Sequence, residues 1–262
     1  MHQYLFFIGN FPIRLYGIFF SLGIISGCIT AYFLLKKDRR GWESHMFDLG
    51  LVIAFAGIVG GRLWDVFFFD WEYYHNHLLE IPYIWQGGMA IQGGIIFACI
   101  AAYYYLKKHQ IPVLPFADTV TPGIILGQAI GRIANFMNGD AFGHPTGQDF
   151  GLLYPDTTLA YHTYGAQPLW PAEVWECQGD LLIFVLLLWY GCKTRAEGTT
   201  FCLYIMFYSL LRFFLENYRG DYGTLALGLK SAQLTSLAAF AGAFILFLYF
   251  HFKHKSKSGI SE

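Results

Sequence analysis

The sequence predicts an all-α, polytopic membrane protein with about seven transmembrane helices and an outer head segment between the fourth and fifth spans. Of its 262 residues, 55% are hydrophobic and 13% are charged, and the mean hydropathy is +0.41. Soluble domains carry about 25% charged residues. The composition therefore excludes an ordinary soluble protein and directs attention to apolar stretches long enough to cross a bilayer.

Seven such stretches contain about 17–25 mostly apolar residues each, which suits the thickness of a bilayer. They lie near residues 14–35, 46–67, 88–106, 116–135, 173–191, 199–217 and 231–252. We expect them to form a single integral membrane domain that extends over residues 1–262.

Basic residues alternate between the connections of these spans, as the positive-inside rule requires. They follow the first, third, fifth and seventh spans as Lys36, Lys37, Arg39 and Arg40; Lys107 and Lys108; Lys193 and Arg195; and Lys253, Lys255 and Lys257. The other connections carry acidic residues, and the long one from Asp140 to Trp170 has no Lys or Arg. We therefore predict an outer amino terminus, a cytoplasmic carboxyl terminus and an outer head segment.

Glycines recur at four-residue spacing in three of the spans. Rows of small residues let helix backbones approach closely in lipid, where the hydrophobic effect does not drive helices together. The rows are Gly23 and Gly27; Gly57 and Gly61; and Gly123, Gly127 and Gly131. We expect close helix packing along each row.

The fourth span carries a polar stripe. Gln128, Arg132 and Asn135 are three or four residues apart, so they share one helical face. An arginine at the centre of a spanning helix is disfavoured by roughly 2.5–3.5 kcal/mol, so it requires an anionic partner and marks a candidate functional site.

The sixth span repeats the pattern with Tyr208, Arg212 and Glu216. Arg212 and Glu216 could simply form an ion pair within one helix. A third arginine, Arg62, lies near the end of the second span, and Glu216 cannot neutralise all three guanidiniums. A lipid phosphate is a further possible partner, because it accepts several charge-assisted, bidentate hydrogen bonds.

The third span begins with a glycine-rich segment, Gln86-Gly-Gly-Met-Ala-Ile-Gln-Gly-Gly94, that places four glycines around Gln92. Glycine lets a backbone bend or approach a ligand closely. The segment is therefore either a loop that contacts a head group or a simple re-entrant turn.

These motifs together resemble the prolipoprotein diacylglyceryl transferase family. The most specific match is GQAIGRIANFMNGDAFG, from Gly127 to Gly143. Supporting matches are Tyr16-Gly17, Gly60-Gly-Arg-Leu63, Gly87-Gly-Met89 with Gly93-Gly94, Pro171 with Glu176, Tyr208-Ser-Leu-Leu-Arg-Phe-Phe-Leu-Glu216 and Gln233-Leu-Thr-Ser236. The resemblance covers nearly the whole chain.

The resemblance implies an enzyme that moves the diacylglyceryl group of phosphatidylglycerol to the lipobox cysteine thiol of a preprolipoprotein, the first step of lipoprotein maturation. It implies that Arg132 and Arg212 hold the phosphate and that Tyr208 and Glu216 support Arg212. We expect the catalytic residues to be Arg132, Arg212, Tyr208 and Asp140. We expect substrate to be bound by Arg132, Asn135, Asn138, Gly139, Tyr16, Gln92, Glu216 and Arg62.

The chain departs from the family pattern at four positions. Gln92 replaces the usual histidine and cannot accept a proton as a general base. Asp140 replaces a glutamate, and Trp170 and Trp175 stand where histidine and tyrosine are usual. Either Asp140 or the field of the arginines activates the thiol, or the chain is a divergent member with a different acceptor.

The expected partners are phosphatidylglycerol, the lipobox segment of a preprolipoprotein and membrane lipids, with no nucleic acid, metal or soluble cofactor. The expected location is the bacterial inner (cytoplasmic) membrane. The main alternative is an anion or lipid transporter, or a lipid-binding membrane protein, that uses the same arginines. The chain shows no internal repeat at half its length, which favours the enzyme. A structural scaffold would not require three embedded arginines.

Overall fold

The structure, a computed structural model, describes residues 4–9, 11–191, 196–220, 224–226 and 228–258. Nine α-helices occur in these ranges. They are α1 (Leu15–Asp38), α2 (Met46–Trp64), α3 (Trp71–Tyr74), α4 (Ile91–Lys108), α5 (Val113–Asn138), α6 (Leu159–Tyr164), α7 (Ala172–Gly191), α8 (Thr199–Leu215) and α9 (Ser231–Ser258). Two short antiparallel hairpins pair β1 (Tyr4–Ile8) with β2 (Phe11–Arg14) and β3 (Thr224–Ala226) with β4 (Leu229–Lys230).

Every predicted span coincides with a long helix. Five helical stretches are long and apolar enough to cross a membrane: Leu15–Asp38, Trp42–Phe69, Val113–Asn138, Thr199–Tyr218 and Ser231–Lys255. The other two predicted spans fall on α4 and α7. The all-α polytopic fold is confirmed, and the chain is a multi-pass membrane protein. The predicted cytoplasmic residues Lys193 and Arg195 lie outside the described ranges.

The chain packs as two compact units. The first unit comprises Met1–Leu34 and Ala117–Glu262, and the second comprises Leu35–Phe116. The expectation of one integral membrane domain over the whole chain remains a prediction.

In the first unit, α1 packs against α5 through two pairs of glycines. A Cβ atom added to Gly23 would lie 2.7 Å from the carbonyl oxygen of Gly127, and one added to Gly27 would lie 2.7 Å from that of Gly123. Side chains at these positions would therefore push the helices apart. The predicted close packing is confirmed here, but it ends before Gly131, where an added Cβ meets nothing within 4 Å.

In the second unit, α2 packs against α4, again through glycine. A Cβ added to Gly60 would lie 2.6 Å from the carbonyl oxygen of Gly93, whereas one added to Gly57 would be 3.8 Å from that of Gly94. The closest approach therefore uses Gly60, a residue outside the predicted row of Gly57 and Gly61.

A buried carboxylate fixes the start of α8 against α5. Asp118, in α5, accepts hydrogen bonds from the backbone N–H groups of Gly198 (2.7 Å) and Phe201 (2.9 Å). These N–H groups have no partner within the helix, and the positive end of the helix dipole favours a carboxylate there. The contact ties together the two helices that carry the predicted arginines.

We expect Gly127→Ala to lower the melting temperature of the purified protein, because its Cβ would lie 2.8 Å from the carbonyl oxygen of Gly23. Gly131→Ala is the matched control on the same helix, and its Cβ enters open space. Thermal unfolding in detergent measures both. Equal melting temperatures for the two variants would contradict the proposed close packing of α1 on α5.

Candidate functional site

Arg132 of α5 and Arg212 of α8 meet at a single carboxylate of α7. Oε1 of Glu176 lies 2.8 Å from Nη2 of Arg132, and its Oε2 lies 3.3 Å from Nη1 of Arg212. Glu176 is only 1% exposed. The two predicted polar stripes therefore converge, and each oxygen of one buried carboxylate binds one guanidinium.

Glu216 and Arg219 complete this arginine cluster. Nη2 of Arg212 lies 2.7 Å from Oε2 of Glu216, which is the ion pair within one helix that the spacing allowed. Nη1 of Arg219 lies 3.7 Å from Oε2 of Glu176, and its Nε lies 3.9 Å from Oε2 of Glu216. Three guanidiniums thus share two buried carboxylates.

Tyr208 links the two stripes through its hydroxyl group. The hydroxyl accepts a hydrogen bond from Nη2 of Arg132 at 3.2 Å and donates one to Oε1 of Glu176 at 3.2 Å. One helical turn earlier, Tyr204 donates to Oε1 of Gln128 at 3.0 Å. These contacts fix the rotation of α8 relative to α5 and α7, and with it the position of each guanidinium.

The end of α5 forms a tight turn that joins the cluster to the head segment. Asp140 accepts hydrogen bonds from the side-chain amides of Asn135 (2.8 Å) and Asn138 (3.0 Å). Asn135 in turn accepts a longer bond of 3.4 Å from Arg132. Gly139 has φ +74°, and a Cβ there would lie 2.6 Å from the side chain of Thr158. Both its conformation and the close approach favour glycine. We call residues 135–140 the signature turn.

Tyr16 of α1 belongs to the same site. The charges of Asp140 and Arg132 both act on its hydroxyl group, so each of these two side chains lies within electrostatic range of Tyr16. The predicted residues Arg132, Arg212, Tyr208, Glu216, Asn135, Asn138, Gly139, Asp140 and Tyr16 thus all lie in the first unit around one buried cluster.

Arg62 lies in the second unit, where backbone carbonyls surround its guanidinium. It donates hydrogen bonds to Ile81 (2.7 Å), Gly87 (2.6 Å), Gly88 (3.0 Å) and Glu80 (3.1 Å). Arg62 is only 3% exposed. All three of its nitrogens are occupied, which indicates a part in fixing this connection; its predicted contact with substrate stays a prediction.

Gln92 lies at the start of α4, directly after a turn. Gly87 and Gly88 have φ values of +99° and +73°, and the helix begins only at Ile91. A Cβ at Gly88 would lie 2.5 Å from Nη1 of Arg62. The segment is therefore a glycine turn that leads into the helix. Gln92 is exposed, and its predicted role in substrate binding stays a prediction.

The head segment, between α5 and α7, has its own apolar core and a buried link to α7. Phe142, Tyr154, Ala160 and Leu169 form this core. The hydroxyl group of Tyr154 donates a hydrogen bond to Oε1 of Glu173, at the start of α7. Burial, together with the nearby Glu173 carboxyl group, raises the pKa of Tyr154 above its usual value. The head segment is thus held firmly on the helix that provides Glu176.

The replaced family positions form an aromatic cluster. The ring centroid of Trp170 lies 5.6 Å from that of Trp175 and 5.4 Å from that of Tyr218. His144 contacts Trp170 edge to face at 6.5 Å, and its Nδ1 lies 2.9 Å from the carbonyl oxygen of Pro145. Aromatic packing therefore occupies the two positions where the resemblance led us to expect a histidine and a tyrosine.

Sequence reasoning missed the central role of Glu176 and the presence of Arg219, Glu173 and Asp180. A signal existed for each. Glu173, Glu176 and Asp180 recur at intervals of three and four residues within one apolar span, and all are fully buried or nearly so. Arg219 follows Glu216 by three residues and so continues the stripe of the sixth span.

Comparison with known proteins agrees with this geometry. The family model for prolipoprotein diacylglyceryl transferase matches residues 3–249. A protein from Clostridium botulinum (strain Langeland) named phosphatidylglycerol–prolipoprotein diacylglyceryl transferase is 35% identical over 238 residues, covering 90% of this chain and 92% of the relative. Enzymes of the same name from Staphylococcus saprophyticus (36% identity, 88% and 82% coverage) and Halalkalibacterium halodurans (33%, 92% and 84%) are also similar. The chain belongs to the prolipoprotein diacylglyceryl transferase family.

Proposed function

We propose that this protein transfers the diacylglyceryl group of phosphatidylglycerol to the cysteine thiol of a preprolipoprotein lipobox. The sulfur attacks the glyceryl carbon, and a carbon–sulfur bond forms as the carbon–oxygen bond to phosphate breaks. The electron pair of the broken bond stays on the phosphate oxygen, and glycerol phosphate leaves. The thiol proton passes to a base and finally to solvent. The observation that carries this proposal is the convergence of Arg132 and Arg212 on Glu176.

The arginine cluster suits a phosphodiester. The guanidiniums of Arg132 and Arg212 are held in place by Glu176 and Glu216, and guanidiniums donate charge-assisted hydrogen bonds to phosphate oxygens. Within the described part of the chain, the buried Nε of Arg132 has no hydrogen-bond acceptor. Donors fixed in advance stabilise charge that develops on a leaving group, because they need no reorganisation during the reaction. Arg132 and Arg212 are therefore the proposed phosphate-binding residues.

The neighbouring residues keep these two guanidiniums in place. Tyr208 and Glu216 contact Arg132 and Arg212 respectively, and so restrict their rotation. The signature residues Asn135, Asn138 and Gly139 shape the turn beside the proposed phosphate site, and Tyr16 lies within electrostatic range of Arg132 and Asp140. Arg62 is proposed to hold the glycine turn that precedes Gln92 in the second unit.

Thiol activation is assigned to Asp140. A free thiol has a pKa near 8.5, so it must lose a proton before it attacks well. Gln92 has no basic atom, whereas Asp140 is a carboxylate of the signature turn within electrostatic range of Tyr16 and Glu173. In this proposal Asp140 orients Asn135 and Asn138 and takes up the thiol proton.

The proposed setting is the bacterial cytoplasmic membrane, with the amino terminus and head segment outside and the carboxyl terminus inside. The distribution of Lys and Arg along the sequence supports this orientation. Phosphatidylglycerol would enter laterally from the outer leaflet, and the tethered preprolipoprotein would present its lipobox from the same side.

We expect Arg132→Ala and Arg212→Ala each to lower diacylglyceryl transfer on the order of 10²–10³-fold, because each removes a charged donor from the developing phosphate charge. The assay uses purified protein, phosphatidylglycerol vesicles and a lipobox peptide, and mass spectrometry detects the thioether product. The matched control is Arg40→Ala, because Arg40 is exposed and pairs with Asp38.

Arg132→Lys and Arg212→Lys are included because they retain the charge but not the two-donor geometry. Wild-type transfer rates in both alanine variants would contradict the phosphate assignment. Anion flux through vesicles without any lipid turnover would instead favour the transporter.

We also expect Asp140→Asn to reduce transfer at least tenfold at neutral pH, since general base catalysis contributes roughly 10²–10⁴-fold. Gln92→His should change the rate by less than about threefold, because Asp140 already fills this role. The same assay measures both variants. A large increase in the transfer rate from Gln92→His, with no decrease from Asp140→Asn, would contradict the assignment of Asp140 as the base and would indicate a base at position 92.

A further inference from the structure

A polar cavity lies at the carboxyl end of α5, next to the signature turn. Its volume is about 220 Å³, and it is lined by Tyr4, Arg14, Asn138 and Leu159. These residues come from β1, the end of β2, the last position of α5 and the first of α6. Its lining is mainly polar, so the cavity suits a small polar fragment.

Arg14 is the charged residue in the wall of this cavity. Its guanidinium carbon lies 6.0 Å from the ring centroid of Tyr4. Among the described residues it forms no ion pair, in contrast to the guanidiniums of the arginine cluster. A guanidinium presents donors in a fixed planar arrangement that matches phosphate oxygens. The cavity thus has a permanently positive wall.

Asn138 connects the cavity to the arginine cluster through hydrogen bonds. Its side-chain amide donates to Oδ2 of Asp140, whose Oδ1 accepts from Asn135. Oδ1 of Asn135 accepts from Arg132. Arg14 is also only two residues before Tyr16, which lies within electrostatic range of Asp140 and Arg132. The cavity is therefore adjacent to the proposed phosphate site.

The Leu159 wall is fixed by the docking of the head segment on the signature turn. The backbone N–H of Ala160 donates to the carbonyl oxygen of Gly139 at 3.3 Å. Oγ1 of Thr158 accepts a hydrogen bond from the backbone N–H of Tyr161 and so caps α6. Gly139 allows the close approach of Thr158, as described above. These contacts hold the Leu159 wall of the cavity in place beside the signature turn.

We propose that this cavity is a subsite for the glycerol phosphate moiety of the donor lipid, and that it holds glycerol phosphate after the carbon–oxygen bond breaks. The proposal rests on the proposed transferase function. Cleavage converts a phosphodiester into a phosphomonoester with a charge of about −1.5 to −2 at pH 7. The product is thus more negative than the diester, and Arg14 supplies a cation in the wall of the cavity that would receive it.

The test measures inhibition of transfer by soluble glycerol phosphate and by inorganic phosphate, with the full chain in phosphatidylglycerol nanodiscs. We expect Arg14→Gln to raise the inhibition constant of glycerol phosphate about tenfold or more, since it removes a charged hydrogen bond. Leu159→Trp should raise it as well, because the indole fills the cavity at an exposed position. Arg40→Gln, at an exposed ion pair elsewhere, should leave it unchanged.

An unchanged inhibition constant in both Arg14→Gln and Leu159→Trp would overturn the proposal. Equal potency of inorganic phosphate and glycerol phosphate on the wild type would also overturn it, because the glycerol part would then contribute nothing. A third result would also overturn the proposal: the transfer rate falls as the phosphatidylglycerol fraction of the nanodisc increases, but it does not fall when soluble glycerol phosphate is added.

Direct binding separates this proposal from the proposed function. Ligand-detected NMR with glycerol phosphate, on protein in phosphatidylethanolamine nanodiscs, needs no catalytic turnover. A signal that Arg14→Gln abolishes would support the subsite even if the wild type transferred no diacylglyceryl group. The absence of any binding signal from the wild type would overturn the subsite while leaving the transferase activity to its own assay.

Discussion

The structure of the site depends on one buried carboxylate that binds two guanidiniums from different helices. Glu176 receives Arg132 on one oxygen and Arg212 on the other, and it is almost completely inaccessible to solvent. Two guanidiniums that bind the same carboxylate are close enough to repel each other strongly in a medium of low dielectric constant. The shared carboxylate removes that repulsion and sets the distance between the two charges, so a phosphate can meet both.

The helix packing serves this arrangement. Asp118 caps α8 and joins it to α5, so the helices that carry the two arginines are held at one end. Glycines of α1 and α5 bring Tyr16 close to Arg132 and Asp140. The head segment then docks on Gly139 and, through Tyr154, on the start of α7. A water-poor polar site in a membrane requires such rigidity, because loosely held charges would reorganise as the reaction proceeded.

Much of the fold was predictable from the sequence, because apolar length and the distribution of Lys and Arg are strong signals in membrane proteins. The stripes on α5 and α8 were predictable for the same reason, since an arginine in an apolar span is rare. The carboxylate that joins the two stripes, Glu176, was not predictable. Glu176 lies on a third helix, and spacing within a helix says nothing about contacts between helices. Arg62 is a case in which a sequence signal for a site did not identify the contacts. It follows a glycine as Arg132 does, yet backbone carbonyls of the segment between α2 and α4 accept its hydrogen bonds.

The most direct test of the shared carboxylate is a double-mutant cycle on kcat/KM for diacylglyceryl transfer, with Arg132→Lys, Arg212→Lys and the double variant. Residues that act through one partner show coupling of about 0.5–3 kcal/mol, whereas independent sites add. If Glu176 makes the two guanidiniums one unit, the double variant will lose much less activity than the product of the two single losses. Strictly multiplicative losses, together with an unchanged cycle in a Glu176→Gln background, would contradict this account.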